Sequence, residues 1–172
     1  MTNEVLAMGE AKSVLGPVFK TLLQRYVEAF IARVTSDSTS QVAISIEPAF
    51  ALACEAAGIW FKTSFGHGNL ADVPWLACFV PGQSAKLEGV YPLFLYQRAT
   101  QTASVNFGVS ATAEKSNGTW PQEWPSHLID GLPRFGVKKK GYKQSFVVQE
   151  FSGALQQQVA EMTDSLLQVI HH

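Results

Sequence analysis

His67 stands between two glycines in Ser64-Phe65-Gly66-His67-Gly68-Asn69, followed by Pro74-Trp75 and by Gly89-Val90-Tyr91-Pro92-Leu93-Phe94-Leu95-Tyr96. Gly66 and Gly68 can take positive φ and let the chain pass close to another molecule, which lifts the His67 ring away from the body of the fold as a finger. Trp75, Tyr91 and Tyr96 fall in strand-like runs, where aromatic faces can wall a slot for a planar ligand such as a nucleobase. The same residues also suit a glycine turn followed by ordinary core strands. Asn69 likewise fits either DNA contact or a bond to its own turn.

The order of these motifs resembles the N-terminal DNA-binding domain family of McrB. The resemblance is firm over about residues 60–110, extends through Phe107-Gly108-Val109-Ser110 and returns more thinly at 138–146. It implies a module that binds double-stranded DNA containing modified cytosine (5-methylcytosine, 5-hydroxymethylcytosine or N4-methylcytosine). The base is rotated out of the duplex into an aromatic pocket, for a modification-dependent restriction system. Trp75, Tyr91 and Leu95 are the implied pocket walls; Gly66, His67, Gly68 and Asn69 are the finger, where the family carries tyrosine in place of His67. An AAA+ GTPase motor region in the same parent chain and a separate nuclease subunit are the implied partners. No catalytic residue, cofactor or metal is expected in this chain.

The chemistry is of a suitable size. Extruding a base costs a few kcal/mol of stacking and pairing, against roughly 1–3 kcal/mol per base from aromatic stacking. Leu95 against a methyl group adds only about 0.8 kcal/mol. High selectivity therefore needs pocket hydrogen bonds or flipping energetics as well.

A net charge of −1 is unusual for a DNA binder, but a total hides its distribution. Arg134, Lys138, Lys139, Lys140 and Lys143 are five of the thirteen basic residues, and no acid lies between Asp130 and Glu150. A clustered positive surface is what phosphate contact requires; a solvated lysine loop has the same composition.

Enzymatic readings find less support. The chain has no Gly-x-x-x-x-Gly-Lys-Ser/Thr phosphate loop and no Gly-x-Ser-x-Gly elbow. Cys78 with His67 or His127 could form a thiol nucleophile, and Asp72 with Glu88 and a lysine could hold a metal for nuclease chemistry. Cys54 and Cys78 both sit in apolar runs and read as buried thiols without Cys-x-x-Cys metal spacing. Another modified base, single-stranded DNA, or a protein partner on the C-terminal helix remain alternative ligands.

These groups must be positioned by a fold, and 172 residues with 47% hydrophobic and 16% charged side chains suit one domain with a real core. Residues 4–33 carry apolar residues at helical spacing, broken at Gly16-Pro17, with Pro17 suited to the first turn of a second helix. Residues 35–41 read as a loop, 42–46 as a short strand and 48–57 as a helix. Strands are predicted at 59–64, 75–80, 90–97, 102–109 and 144–150, with a short helix at 126–132 after Trp120 and Trp124. An amphipathic helix is predicted over 152–170. The expected fold is α+β: a single domain over residues 1–172 with a twisted, mostly antiparallel sheet flanked by N-terminal and C-terminal helices. His171 and His172 resemble the start of a tag and receive no role. An acidic N-terminal stretch and the lack of a long apolar run point to a cytoplasmic protein that does not span a membrane.

Overall fold

Pro17 opens a helix because proline presets φ and has no N–H to leave unpaired in the first turn. In the computed structural model, which describes residues 15–79, 90–109, 131–135 and 145–171, this helix is α1 (Pro17–Thr35). Its residues Phe19, Leu22, Leu23, Tyr26, Val27, Phe30, Ile31 and Val34 recur at helical spacing and are all buried. A second helix, α2 (Pro48–Ala57), also starts on proline. At the other end of the chain a 3-10 turn (Leu155–Gln158) leads into α3 (Val159–Ile170).

Between the helices the described residues form five strands: β1 (Trp60–His67), β2 (Asn69–Phe79), β3 (Val90–Gln97), β4 (Thr102–Val109) and β5 (Phe146–Phe151). They form one sheet in sequence order with every neighbour antiparallel. The α+β fold expected from the sequence is the one observed, with helices from both ends of the chain against one face of the sheet.

That face is closed by aromatic packing. Phe50 lies 5.6 Å from Phe19, 5.5 Å from Tyr26 and 5.3 Å from Phe61 between ring centroids, and Phe30 lies 5.5 Å from Phe65 and 5.6 Å from Phe94. Each such pair contributes about 0.5–1.5 kcal/mol beyond its buried area. Alternation in the strands sends Phe61, Phe65, Leu76, Phe94, Val105 and Phe107 to this side. A second cluster, Val73, Ala77, Phe79, Tyr91, Leu93, Leu95 and Phe135, covers the opposite face.

Several element predictions change, among them the helix predicted over 152–170, which starts as a 3-10 turn at Leu155 and becomes α-helical at Val159. Residues 42–46 are not a strand. The backbone N–H groups of Ser38, Ser40 and Val42 donate instead to the hydroxyls of Ser36, Ser38 and Ser40, and Ile44 N–H donates to Thr63 Oγ1. Serine side chains take the bonds that a neighbouring strand would need. The strands around the glycine motif run further than predicted, because the finger itself is paired backbone. Gly131 and Leu132 are not helical; the rest of the helix predicted at 126–132, with Trp120 and Trp124, lies outside the described residues. So does the predicted helical stretch before residue 15.

Candidate nucleic-acid interface

The finger is the tip of the β1–β2 hairpin. His67 pairs with Asn69 across Gly68, and Gly66 pairs with Leu70. Gly66 and Gly68 have φ of 123° and 74°, which side chains other than glycine rarely adopt. At Gly66 the need is also steric: a Cβ there would press into the Asn69 carbonyl oxygen and lie 2.7 Å from the Ala71 nitrogen. His67, Gly68 and Asn69 are exposed at the end of the sheet.

The root of the finger is built differently from its tip. Ser64 pairs with Trp75 and Gly66 with Leu70, so Phe65 alone faces residues 71–74 of β2. Phe65 is fully buried, packed on Phe30 and capped by the Arg33 guanidinium 4.9 Å from its ring centroid. The bulged segment is held by Arg98, whose Nε donates to Ala71 O at 2.8 Å and whose backbone N–H donates to Asp72 O at 3.0 Å. A rigid base thus carries an exposed tip.

Trp75 and Leu95 are direct cross-strand partners, so their side chains share a face. Tyr91 lies four residues from Leu95 on β3 and therefore shares that face too, the one opposite the helices. The structure thus brings Trp75, Tyr91 and Leu95 to one side of the sheet. Trp75 is partly exposed, whereas Tyr91 and Leu95 are 7% and 0% exposed and form the floor. His67 is three residues beyond Ser64, the partner of Trp75, which sets the tip about 10 Å from that indole along the strand.

Tyr96 is a correction. It lies an odd number of residues from Tyr91, so it turns to the helix side and is buried in that core, 4% exposed. It cannot wall the same slot.

Several residues of this face were not singled out in the sequence. Phe79 links Trp60 and Tyr91 in a row of rings, with centroid separations of 4.4 and 5.4 Å. Gly108 pairs with Tyr91, and a Cβ on it would lie 2.7 Å from the tyrosine ring, so glycine lets the ring rest on the sheet. Asn106 and Ser104 are buried on the same face, opposite Leu93 and Leu95. The signal was present: Thr102, Ser104, Asn106 and Gly108 alternate with Ala103, Val105 and Phe107. Only the register shows that this polar row lies beside the aromatic residues.

Of the expected phosphate contacts, Arg134 is exposed and paired with Phe146, its guanidinium 5.5 Å from that ring centroid. Lys138, Lys139, Lys140 and Lys143 lie outside the described residues. The ends of their segment are tied together, with Phe135 N–H donating to Ser145 O and Val147 N–H to Pro133 O, both at 2.8 Å. Phe135 also packs in the cluster that contains Tyr91 and Leu95. Phe135 is thus anchored on the face that carries the candidate slot, whereas the Arg134 guanidinium lies over Phe146, a residue of the helix-side core.

The pairing of Cys78 with His67 fails on geometry. Burial raises the Cys54 thiol to about 12 and pushes Cys78 up as well, so neither forms an appreciable thiolate at neutral pH. Cys78 pairs with Phe61, six residues down β1 from His67, which separates the two by about 20 Å. His127 and Glu88 lie outside the described residues, and among those described no three His, Cys, Asp or Glu residues gather as metal ligands. Among the described residues no helix is long and apolar enough to cross a membrane. A depression of about 50 Å³ between α1, α2 and the chain at Ile44 is far below the volume of a ligand pocket.

No family model matches the chain. Over 90 residues, 49% of its length, it is 32% identical to the type IV methyl-directed restriction enzyme EcoKMcrB subunit of Escherichia coli strain K12. The match takes in 19% of that relative, so the chain spans about a fifth of the length of the curated protein it resembles. The similarity relates this chain to part of a methyl-directed restriction subunit.

Proposed function

We propose that this chain is a recognition module that binds double-stranded DNA containing modified cytosine and turns that base out of the duplex. The observation that carries the reading is the shared face of Trp75, Tyr91 and Leu95, with a glycine-framed finger at one end of it. The partly exposed Trp75 indole offers a stacking surface for the extruded base. Leu95 beneath it offers apolar contact to a 5-methyl group. His67, a flat ring with a hydrogen-bonding edge, enters the stack beside the vacated position, while Asn69 contacts the adjacent backbone. Arg134, Lys138, Lys139, Lys140 and Lys143 bind phosphates.

The relative's name, a methyl-directed restriction enzyme subunit, supports the same class of ligand. In this reading the chain recognises the target and does not cut it. A GTPase motor region of the AAA+ type in the parent chain and a separate nuclease subunit supply the remaining activities, in the cytoplasm.

The test is a salt titration of binding to one short duplex carrying cytosine, 5-methylcytosine, 5-hydroxymethylcytosine or N4-methylcytosine at a single position. Preference for a modified form is expected, and Trp75→Ala removes it at a cost of roughly 1–3 kcal/mol. Lys139→Ala weakens binding to all four duplexes alike and lowers the salt slope by about one. Equal affinity for all four duplexes in the unaltered protein would leave a phosphate-binding surface and defeat the proposal.

A further inference from the structure

Asn106 is 0% exposed in the middle of β4. Its Nδ2 donates to Leu93 O at 3.3 Å, Ser104 O at 3.0 Å and Ser104 Oγ at 2.9 Å. Its Oδ1 is buried and, among the described residues, has no hydrogen-bond partner. Two backbone carbonyls fix the orientation of the amide, because the opposite orientation would set oxygen lone pairs against both of them and strand the NH₂ group. The side chain is thus a buried acceptor held in place by its own donor bonds. Buried acceptors are nearly always paired, so this one calls for a ligand or a function.

Its position suggests which. Asn106 pairs with Leu93 and lies between Gly108, under the Tyr91 ring, and Ser104, opposite Leu95. Trp75 stands on β2 and Asn106 on β4, two strand spacings apart across β3, or about 10 Å between backbones. That span matches the width of one pyrimidine and a hydrogen bond, and because Leu93, Leu95 and Asn106 are all buried, a base reaches the amide only as the side chains around it part.

We infer that Asn106 Oδ1 tells cytosine from thymine in the slot by accepting a hydrogen bond from the 4-amino group of the extruded base, an assignment that rests on the flipped-base reading above. The aromatic walls and Leu95 cannot make that distinction, because 5-methylcytosine and thymine share the flat ring and the 5-methyl group. The two differ at the 4-position, where cytosine presents an amino donor and thymine a carbonyl acceptor. A fixed acceptor bonds the first and opposes the second lone pair to lone pair. N4-methylcytosine keeps one N–H and remains a ligand. Sites built around a buried hydrogen bond reject analogues that lack its partner far more strongly than apolar walls reject a missing methyl.

The experiment compares unaltered protein on duplexes carrying 5-methylcytosine, thymine or 5-methyl-2-pyrimidinone opposite the same guanine. The pyrimidinone has no 4-substituent. Both analogues pair less well with guanine and are easier to extrude, so flipping cost alone favours them. A preference of about tenfold or more for 5-methylcytosine over both is expected, and Asn106→Leu brings the ratios to one or below. Equal or tighter binding of the pyrimidinone by the unaltered protein overturns the role of Asn106 whether or not the variant folds, and so does a ratio that survives in a folded Asn106→Leu. Failure to prefer 5-methylcytosine over cytosine defeats the recognition reading itself, an outcome separable from either of these.

Discussion

At the scale of single residues, the two glycines of the finger do different work. Both occupy the left-handed half of backbone space, but Gly68 has open room around its Cα, while Gly66 faces Asn69 O and Ala71 N at distances no Cβ tolerates. Gly68→Ala is expected to cost about 1–2 kcal/mol from conformation alone. Gly66→Ala costs more than that, since the hairpin must also open. Urea unfolding of the two variants checks the order, and equal costs would mean that the tip relaxes freely. The glycine requirement was legible in the Gly-His-Gly frame; which glycine is crowded depends on the one-against-four mismatch between β1 and β2. Asn106 was not singled out in the sequence, where it is one polar residue of an alternating strand; that its oxygen has no partner among the described residues emerges only from an account that includes β3.

At the scale of elements, the finger depends on a packing contact far from its tip. Phe65 inserts between α1 and the sheet, and its ring meets Phe30 and the Arg33 guanidinium, which also donates to Val42 O at 2.9 Å. Removing that ring is expected to cost about 3–5 kcal/mol. The loss should be felt first in the hairpin: amide exchange at residues 66–72 should quicken in Phe65→Ala more than exchange in α3. Uniform acceleration throughout the molecule would show that the root does not hold the finger separately. The helices and most strand positions were readable from apolar periodicity, with α2 as predicted at 48–57. The segment 42–46 was misread because its weak alternation carries no record of the serine hydroxyls that satisfy its backbone.

At the scale of the whole molecule, the helix-side core holds Cys54 and Tyr26, like Cys78, in their neutral forms. Burial raises the Cys54 thiol from 9.0 to about 12 and, partly offset by the hydrogen bond to Thr63, the Tyr26 phenol from 10.0 to about 12. The unfolded chain releases these protons at lower pH than the folded one, so the folded state binds more protons through this window. Stability from both groups is complete below about pH 9 and is lost as pH rises towards 12. Urea midpoints should therefore fall across that range, and less steeply in Cys54→Ala. A flat profile in the unaltered protein would contradict the burial of these groups.

The sequence by itself determined the helical regions of α1, α2 and α3, where the finger turns, which aromatic residues belong to strands and where basic residues cluster along the chain, because these follow from local backbone chemistry and periodicity. Tertiary structure alone decided that Trp75 stands opposite Leu95, that Tyr96 leaves the slot for the core, that Gly108 makes room for Tyr91, and that Asn106 lies beside them with an acceptor that has no partner among the described residues. Those facts arise from strand register, and shifting a strand by one residue exchanges its two faces. Register is set by long-range pairing and by the bulge at Phe65, neither of which local spacing encodes.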